Sequence, residues 1–224
     1  MNNKKTIAII PARGGSKRVP QKNIKMLGGL PLIVHSINYA KLNSNIIDAI
    51  YVSTDDEQIK KIALANDAKV VDRPKHISGD TEPTITAVQH LIETIDDIEN
   101  VILLQPTNPL RPKDLLQEAY QLFIDNKLNS LFTVTRDEKK LGKIVDNKYL
   151  PFNYKIGQRS QDLEPLYFEN GLLYLTTSKA IKQGFIISED AYPLIVNDKF
   201  SAVDIDTNED FEYAEYIYNQ KKTF

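Results

Sequence analysis

The sequence predicts an α/β fold built on a largely parallel sheet, and three observations carry that reading. Short apolar runs alternate along the chain with segments whose apolar residues recur at helical spacing, the order that strand and crossover-helix units require. The first run, Thr6-Ile7-Ala8-Ile9-Ile10, is short and continuously apolar, as in a buried strand. It opens directly into PARGGSKRVPQKN, Pro11 to Asn23, which holds two glycines and four cations. In open α/β sheets ligands bind beyond the carboxyl ends of the strands, and this loop lies at such an end.

The strands expected in order are 6–10, 47–53, 69–72, 101–104, 130–135, 171–175 and 201–205. Between them Pro31 suits a first helical position before the apolar face of Leu32, Ile33, Ile37 and Ala40. Thr54 with Glu57 fits a capping box ahead of Ile59, Ile62 and Ala63. Leu115, Leu116, Ala119, Leu122 and Phe123 form a third stripe, and Phe211, Ala214 and Ile217 a fourth; these stripes read as core. The stretch 139–169 is polar and tyrosine-rich without a clear period, and reads as a small insertion. With no repeat or linker, residues 1–224 form one expected domain.

Composition excludes several classes. A hydrophobic fraction of 42% with 26% charged residues is too apolar for a disordered chain. Lys and Arg number 28 against 30 Asp and Glu, so the broad positive field of a nonspecific nucleic-acid binder is missing and no nucleic-acid partner is expected. The absence of cysteine removes disulfides, thiolate ligands and a cysteine nucleophile. Met1 to Lys5 lead into only five apolar residues, unlike a signal peptide, and no window suits a membrane span. The expectation is a cytoplasmic protein without a membrane partner.

The loop chemistry can be read from its residue types. Gly14 and Gly15 allow backbone N–H groups to approach an anion, and Arg13, Lys17, Arg18 and Lys22 add charge-assisted donors, a combination that suits a nucleoside triphosphate. It matches neither the P-loop nor the dinucleotide fingerprint. A flexible solvated turn has the same composition, so both readings stand at this level. His35, His76 and His90 share no metal-ligand spacing.

Taken together, Ile9 to Arg18 with Pro20, Lys22 and Asn23, then Val52-Ser53-Thr54-Asp55, Arg73-Pro74, Ser78-Gly79-Asp80-Thr81, Leu104 to Arg111, Asn170-Gly171 and Asp204-Ile205-Asp206-Thr207, resemble in order the blocks of the acylneuraminate cytidylyltransferases. The resemblance spans nearly the whole chain and implies a Rossmann-like, mainly parallel mixed sheet flanked by helices, with the insertion serving dimerisation. It implies transfer of CMP from CTP to a nine-carbon 2-keto sugar acid, with Mg²⁺ as cofactor and a homodimer as the working form. By the same resemblance Arg13 and Lys22 contact the phosphates, and Ala12, Gly14, Ser16, Asn23, Arg73, Asp80 and Thr84 line the nucleotide pocket. Gln105, Tyr167, Asn170 and Arg159 would serve the sugar acid. A KDO-type cytidylyltransferase, a glycosyltransferase with a related sheet and a non-catalytic nucleotide sensor are the alternatives.

Two features need separate reading. Where family members tend to read Arg-Gln-Asp-Leu-x-x-x-Tyr-Arg-x-Asn-Gly, this chain runs from Arg159 to Gly171 with the first arginine displaced by one residue and the second replaced by Phe168. Arg111, in the same block as Gln105, reads equally as a structural loop residue. Near the end, Ala202 to Asp206 reads as a strand end, where residues two apart share a face, so Asp204 and Asp206 would repel unless a cation lay between them. Asp206 as a mere helix cap is the competing reading from the residues alone. The resemblance implies that the pair holds the metal and makes Asp206, with Lys22 and Arg13, catalytic.

Overall fold

The computed structural model describes residues 4–198 and 203–221. Its elements are β1 (Lys5–Pro11), β2 (Met26–Leu27), β3 (Leu30–Pro31), α1 (Leu32–Leu42), β4 (Ala49–Thr54), α2 (Glu57–Ala65), β5 (Lys69–Asp72), α3 (Thr84–Thr94) and β6 (Ile98–Leu103). They continue with α4 (Leu115–Asp125), β7 (Ser130–Asp137), β8 (Gly142–Val145), β9 (Lys148–Pro151), β10 (Leu166–Thr177), α5 (Ser178–Lys182), β11 (Tyr192–Ile195) and α6 (Asn208–Lys221).

Among the described residues seven strands form one sheet in the order β11-β7-β10-β6-β1-β4-β5. The pairs β1–β4, β1–β6, β4–β5 and β7–β11 are parallel, while β10 runs antiparallel to β6 and β7. The expected mainly parallel mixed sheet is therefore present. Along β1, Ala8 and Ile10 pack with α1, α2 and α4, whereas Ile7 and Ile9 pack with α3 and α5. A strand covered on both faces needs no polar alternation, which explains its continuous apolar run.

The chain leaves β1 toward β4 and β5 on one side and returns through α3 to β6 on the other. The carboxyl ends of β1 and β6 thus flank the point where strand order reverses, the position at which such sheets open a ligand crevice. The basic loop follows β1 and Gln105 follows β6, so both reach that crevice from adjacent strands.

Several local expectations are corrected. The N-cap of α2 is Asp56, whose carboxylate accepts from the amides of Gln58 and Ile59 at 2.8 and 2.9 Å; Thr54 Oγ1 instead accepts from the Asp56 amide. Helix α1 begins at Leu32, with Pro31 as its N-cap. In the expected strand 201–205, Ser201 and Ala202 lie outside the described residues and Val203 to Ile205 form no strand. Their backbone is held by the loop after β6, through the Ile205 amide to Thr107 O at 2.9 Å and Asn108 Nδ2 to Val203 O at 3.3 Å. Strand β11 had no clear sequence signal. The insertion holds a hairpin, β8–β9, turned by Asp146 and Asn147 at φ of 48° and 59°. All four residues of β8 are exposed, so no burial period marked it.

Arg111 knits this framework together. Its buried guanidinium donates from Nε to Leu172 O at 2.6 Å, from Nη1 to Ser36 Oγ at 3.0 Å and from Nη2 to Gln105 O at 2.7 Å, linking β10, α1 and the loop after β6. Burial pushes its pKa down to about 10, so it remains a cation at neutral pH. Truncation leaves three acceptors without this donor. Arg111→Ala is expected to cost about 3 kcal/mol or more, with Arg111→Lys recovering only part of it. Urea unfolding with an unchanged slope checks this, and a loss below about 1 kcal/mol would contradict it.

Candidate active site

Beyond the carboxyl ends of β1 and β6 lies a cleft of about 450 Å³. Arg13, Ser16, Lys17, Arg18, Lys22 and Asn23 line it from the loop after β1, Arg73 and Asp80 from the segment after β5, and Thr84 from the start of α3. Gln105 and Thr107 close the β6 side and Asp206 the far end. The first turn of α3 adds the positive end of a helix dipole.

The loop's cations are paired with two carboxylates. Arg13 and Lys17 both bind Asp80, and the Lys17 and Arg13 contacts hold the Asp80 carboxyl below its usual pKa range. Lys22 Nζ donates to Asp206 Oδ1 at 3.1 Å and to Ile205 O at 2.7 Å, while Arg18 lies 3.3 Å from Asp206 Oδ2. Lys22 is the most shielded of these cations that bind Asp206, with 14% of its side chain exposed against 71% for Arg18. A shielded ammonium pointed into a cleft interacts more strongly with phosphate than a fully solvated one.

The remaining residues hold the cleft in shape. Asn23 Nδ2 donates to Arg13 O at 3.0 Å, tying the two ends of the basic loop. The Arg73 guanidinium reaches back to Ser53 Oγ and Ser53 O at 3.0 and 2.6 Å, and burial lowers its pKa. The Gly14 amide donates to Asp55 Oδ1 at 3.0 Å, and a Cβ at Gly14 would meet Asp56 Oδ2 at 2.7 Å. Glycine is thus needed here for a close backbone approach, with its N–H committed to a carboxylate.

Six expected site residues do not line the cleft: Asp204, next to Asp206, is one, and the other five are held elsewhere. Gly14 faces Asp55 and Asp56, and Ala12 is fully buried with its amide on Ser53 O. Asn170 is a core residue: Oδ1 accepts from Thr133 Oγ1 at 2.6 Å and Nδ2 donates to Thr135 Oγ1 at 3.0 Å, which fastens β10 to β7. Tyr167 sits opposite Arg136 in the β10–β7 ladder, away from the cleft. Arg159 is bound locally to Asp162 at 2.8 Å. The reason is common to the last three. The expected sugar-binding segment is spent on a long β10 ladder and a local ion pair.

The acidic pair is brought together without a strand. Asp204 and Asp206 flank buried Ile205, and of the two Asp206 lines the cleft. Crowding by neighbouring atoms raises the Asp204 pKa, and the charge of Asp206 adds to that rise. Asp206 does not cap α6. Asp210 Oδ2 accepts from the amides of Asp206 and Thr207 at 3.0 and 2.8 Å, and Thr207 Oγ1 accepts from the Asp210 amide at 3.2 Å, a complete capping box. Among the described residues no group of three His, Cys, Asp or Glu is placed to hold a metal.

Residues missed in the sequence are Thr107, Tyr174 and Glu169, whereas Arg18, read there as a donor of the basic loop, does line the cleft. Tyr174, buried within β10, donates to Glu169 Oε1, and Gln105 Nε2 lies 3.4 Å from its hydroxyl. No linear pattern links those three. His35 Nε2 lies 2.9 Å from Leu27 O, and its ring meets Tyr218 edge to face.

A cationic loop and a helix N-terminus converging at the switch point of a mainly parallel sheet define an α/β protein with a cleft suited to an anionic ligand at its strand ends. Residues 7–224 match the family described as Cytidylyltransferase, and the chain belongs to that family. It is 39% identical to pseudaminic acid cytidylyltransferase of Campylobacter jejuni, over 96% of each chain. It is 33% identical to CMP-N,N'-diacetyllegionaminic acid synthase of Legionella pneumophila, over 94% of this chain and 95% of that one. Among solved structures, CMP:2-keto-3-deoxy-manno-octonic acid synthetase complexed with CTP superposes with a TM-score of 0.72 at 16% identity, over 97% of this chain and 100% of that one, a likeness of fold.

Asp210→Ala is expected to lower stability by about 1 kcal/mol through the lost cap, whereas Asp206→Asn leaves the thermal midpoint within a few degrees. Calorimetry on both variants checks the assignment. The reverse ranking would make Asp206 the structural residue.

Proposed function

We propose that this cytidylyltransferase couples CTP to a nine-carbon 2-keto sugar acid of the pseudaminic, legionaminic or sialic type, giving the CMP-sugar and pyrophosphate. The anomeric hydroxyl of the acid forms the new bond to the α-phosphorus, the bond from that phosphorus to pyrophosphate breaks, and the hydroxyl proton is released. The carrying observation is the convergence of Arg13, Arg18 and Lys22 with Asp206 and Gln105 in one strand-end cleft. Relatives named for these acids match nearly the full chain, those named for pseudaminic acid at 38–39% identity, so that acid is our first choice of acceptor.

In this reading Arg13, Ser16, Arg73 and Thr84 hold the nucleotide, and Gln105 faces the acceptor. Lys22 offsets charge developing at the α-phosphate, where a fixed cation gains most in the transition state. Asp204 and Asp206 fit Mg²⁺: they are two adjacent hard-oxygen donors, one of them made reluctant to ionise by its surroundings and its neighbour. A site with two carboxylates leaves most positions to phosphate oxygens and water, as Mg²⁺ prefers, and the ion supplies charge neutralisation there. The exposed Ile144, Tyr149, Leu150 and Phe152 of the β8–β9 arm support a homodimer. Among the described residues no helix is long and apolar enough to cross a membrane, and we place the enzyme in the cytoplasm with its nucleotide substrate.

Incubation with Mg²⁺, CTP, UTP or ATP and a panel of pseudaminic, legionaminic and N-acetylneuraminic acids and KDO tests the reaction by pyrophosphate release. CTP with a nine-carbon acid should dominate; comparable turnover with UTP or ATP overturns the cytidylyl assignment. Within that assay, Lys22→Ala should reduce kcat about 100-fold or more while changing the KM for CTP only a few-fold. An unchanged kcat with a raised KM would assign Lys22 to binding alone.

A further inference from the structure

We propose that Glu169 sets the hydrogen-bond polarity of the acceptor side of the cleft, acting through Tyr174 to orient the carboxamide of Gln105. The inference rests on the reading of Gln105 as the residue facing the sugar acid. A carboxylate at position 169 can only accept a hydrogen bond. The Tyr174 hydroxyl therefore gives it its single proton. Burial, followed by the Glu169 contact, raises the Tyr174 pKa, so the phenol keeps that proton across the working pH range.

With its proton committed, Tyr174 Oη has only lone pairs left for Gln105, and the nearest amide atom must be a donor. That atom is Nε2, at 3.4 Å. The two ends of a carboxamide are otherwise interchangeable, and it is the surrounding network that decides between them. Oε1 has no hydrogen-bond partner among the described residues, and Gln105 lines the cleft. Oε1 is thus the amide atom left to accept from an acid bound in the cleft. It will take a hydroxyl or acylamino N–H, and it disfavours the sugar's carboxylate, as does a negative charge on nearby Glu169.

An irregular strand makes this arrangement possible. Residues five apart in a regular strand point to opposite faces. In β10, Glu169 pairs with Val134 and Tyr174 with Phe132, so five steps on β10 span two on β7 and the parity is reset. Gly171 supplies the required left-handed backbone at φ 72°. Glu169 itself is exposed, which leaves it replaceable without loss of the core.

The full-length enzyme and its Glu169→Gln, Tyr174→Phe and double variants test the proposal. Glutamine can donate as well as accept, so it removes the polarity while keeping the shape. Each single change should raise the KM for the sugar acid about tenfold, with the KM for CTP within about twofold and the double variant no worse than the poorer single. O-methyl derivatives of the acid, which keep an acceptor and lose a donor, should be rejected less by both variants at one position. Unchanged sugar KM and discrimination in Glu169→Gln, or an equal rise in the KM for CTP, would overturn the proposal. Nuclear magnetic resonance reads the orientation without turnover. Gln105 Nε2 protons should show a cross-peak to Tyr174 in the wild type that weakens in Glu169→Gln, and its absence from the wild type also overturns the proposal. Failure of the proposed function would look different, as silence of the wild type with every acid despite that cross-peak.

Discussion

The requirement that β1 be buried on both faces governs the rest of the molecule. Ile7 and Ile9 on one side and Ala8 and Ile10 on the other are fully buried. Helices must therefore cover both faces, and the chain must cross the sheet in opposite directions to place them. This reversal leaves a crevice where β1 and β6 end. The basic loop occupies it because it is the continuation of the strand that created it. Arg111 then locks the β6 side by holding the carbonyl of Gln105.

Placing several cations on one short loop creates a second constraint, since like charges at close range destabilise the segment that carries them. Asp80 answers Arg13 and Lys17, and Asp206 answers Arg18 and Lys22. The two carboxylates sit on distant segments, after β5 and before α6. The ion pairs consequently draw three parts of the chain around one volume. An anion entering that volume competes with these carboxylates for the same donors, which favours a ligand carrying several negative charges over a singly charged one.

What was legible in the sequence follows from which forces are local. The buried run of β1, the amphipathic stripes of α1, α2, α4 and α6, and the glycine-cation loop each declare themselves within a dozen residues, and each stands where expected. The Asp56 cap was misread as a Thr54 box because both residues offer an oxygen at nearly the same place. The expected strand at 201–205 alternates like one, yet Val203 and Ile205 are buried by α6 and the loop after β6 and not by a ladder. Asn170 beside Gly171 looked like a ligand motif, but its side chain is spent on Thr133 and Thr135. Nothing local marks β10 as antiparallel, since its buried leucines suit either direction.

The Asn170-Gly171 irregularity shows why fold and specificity can be separated within a single strand. Asn170 fastens β10 to β7, and a Cβ on Gly171 would come within 2.6 Å of Asn108 Oδ1, so these two positions are fixed by packing. Asn108 in turn holds the carbonyls of Asn170 and Val203, which carries the constraint to the segment bearing Asp204 and Asp206. Phe168 and Glu169 precede this knot on the exposed part of β10 and take no part in it. Their side chains can vary while the knot stays intact. A substitution at Asn170 or Gly171 perturbs the sheet and the acidic segment together, whereas one at Glu169 alters only what the cleft presents through Tyr174 and Gln105. The strand therefore carries structural and discriminating residues side by side, with the relay from Glu169 to Tyr174 reaching across the bulge.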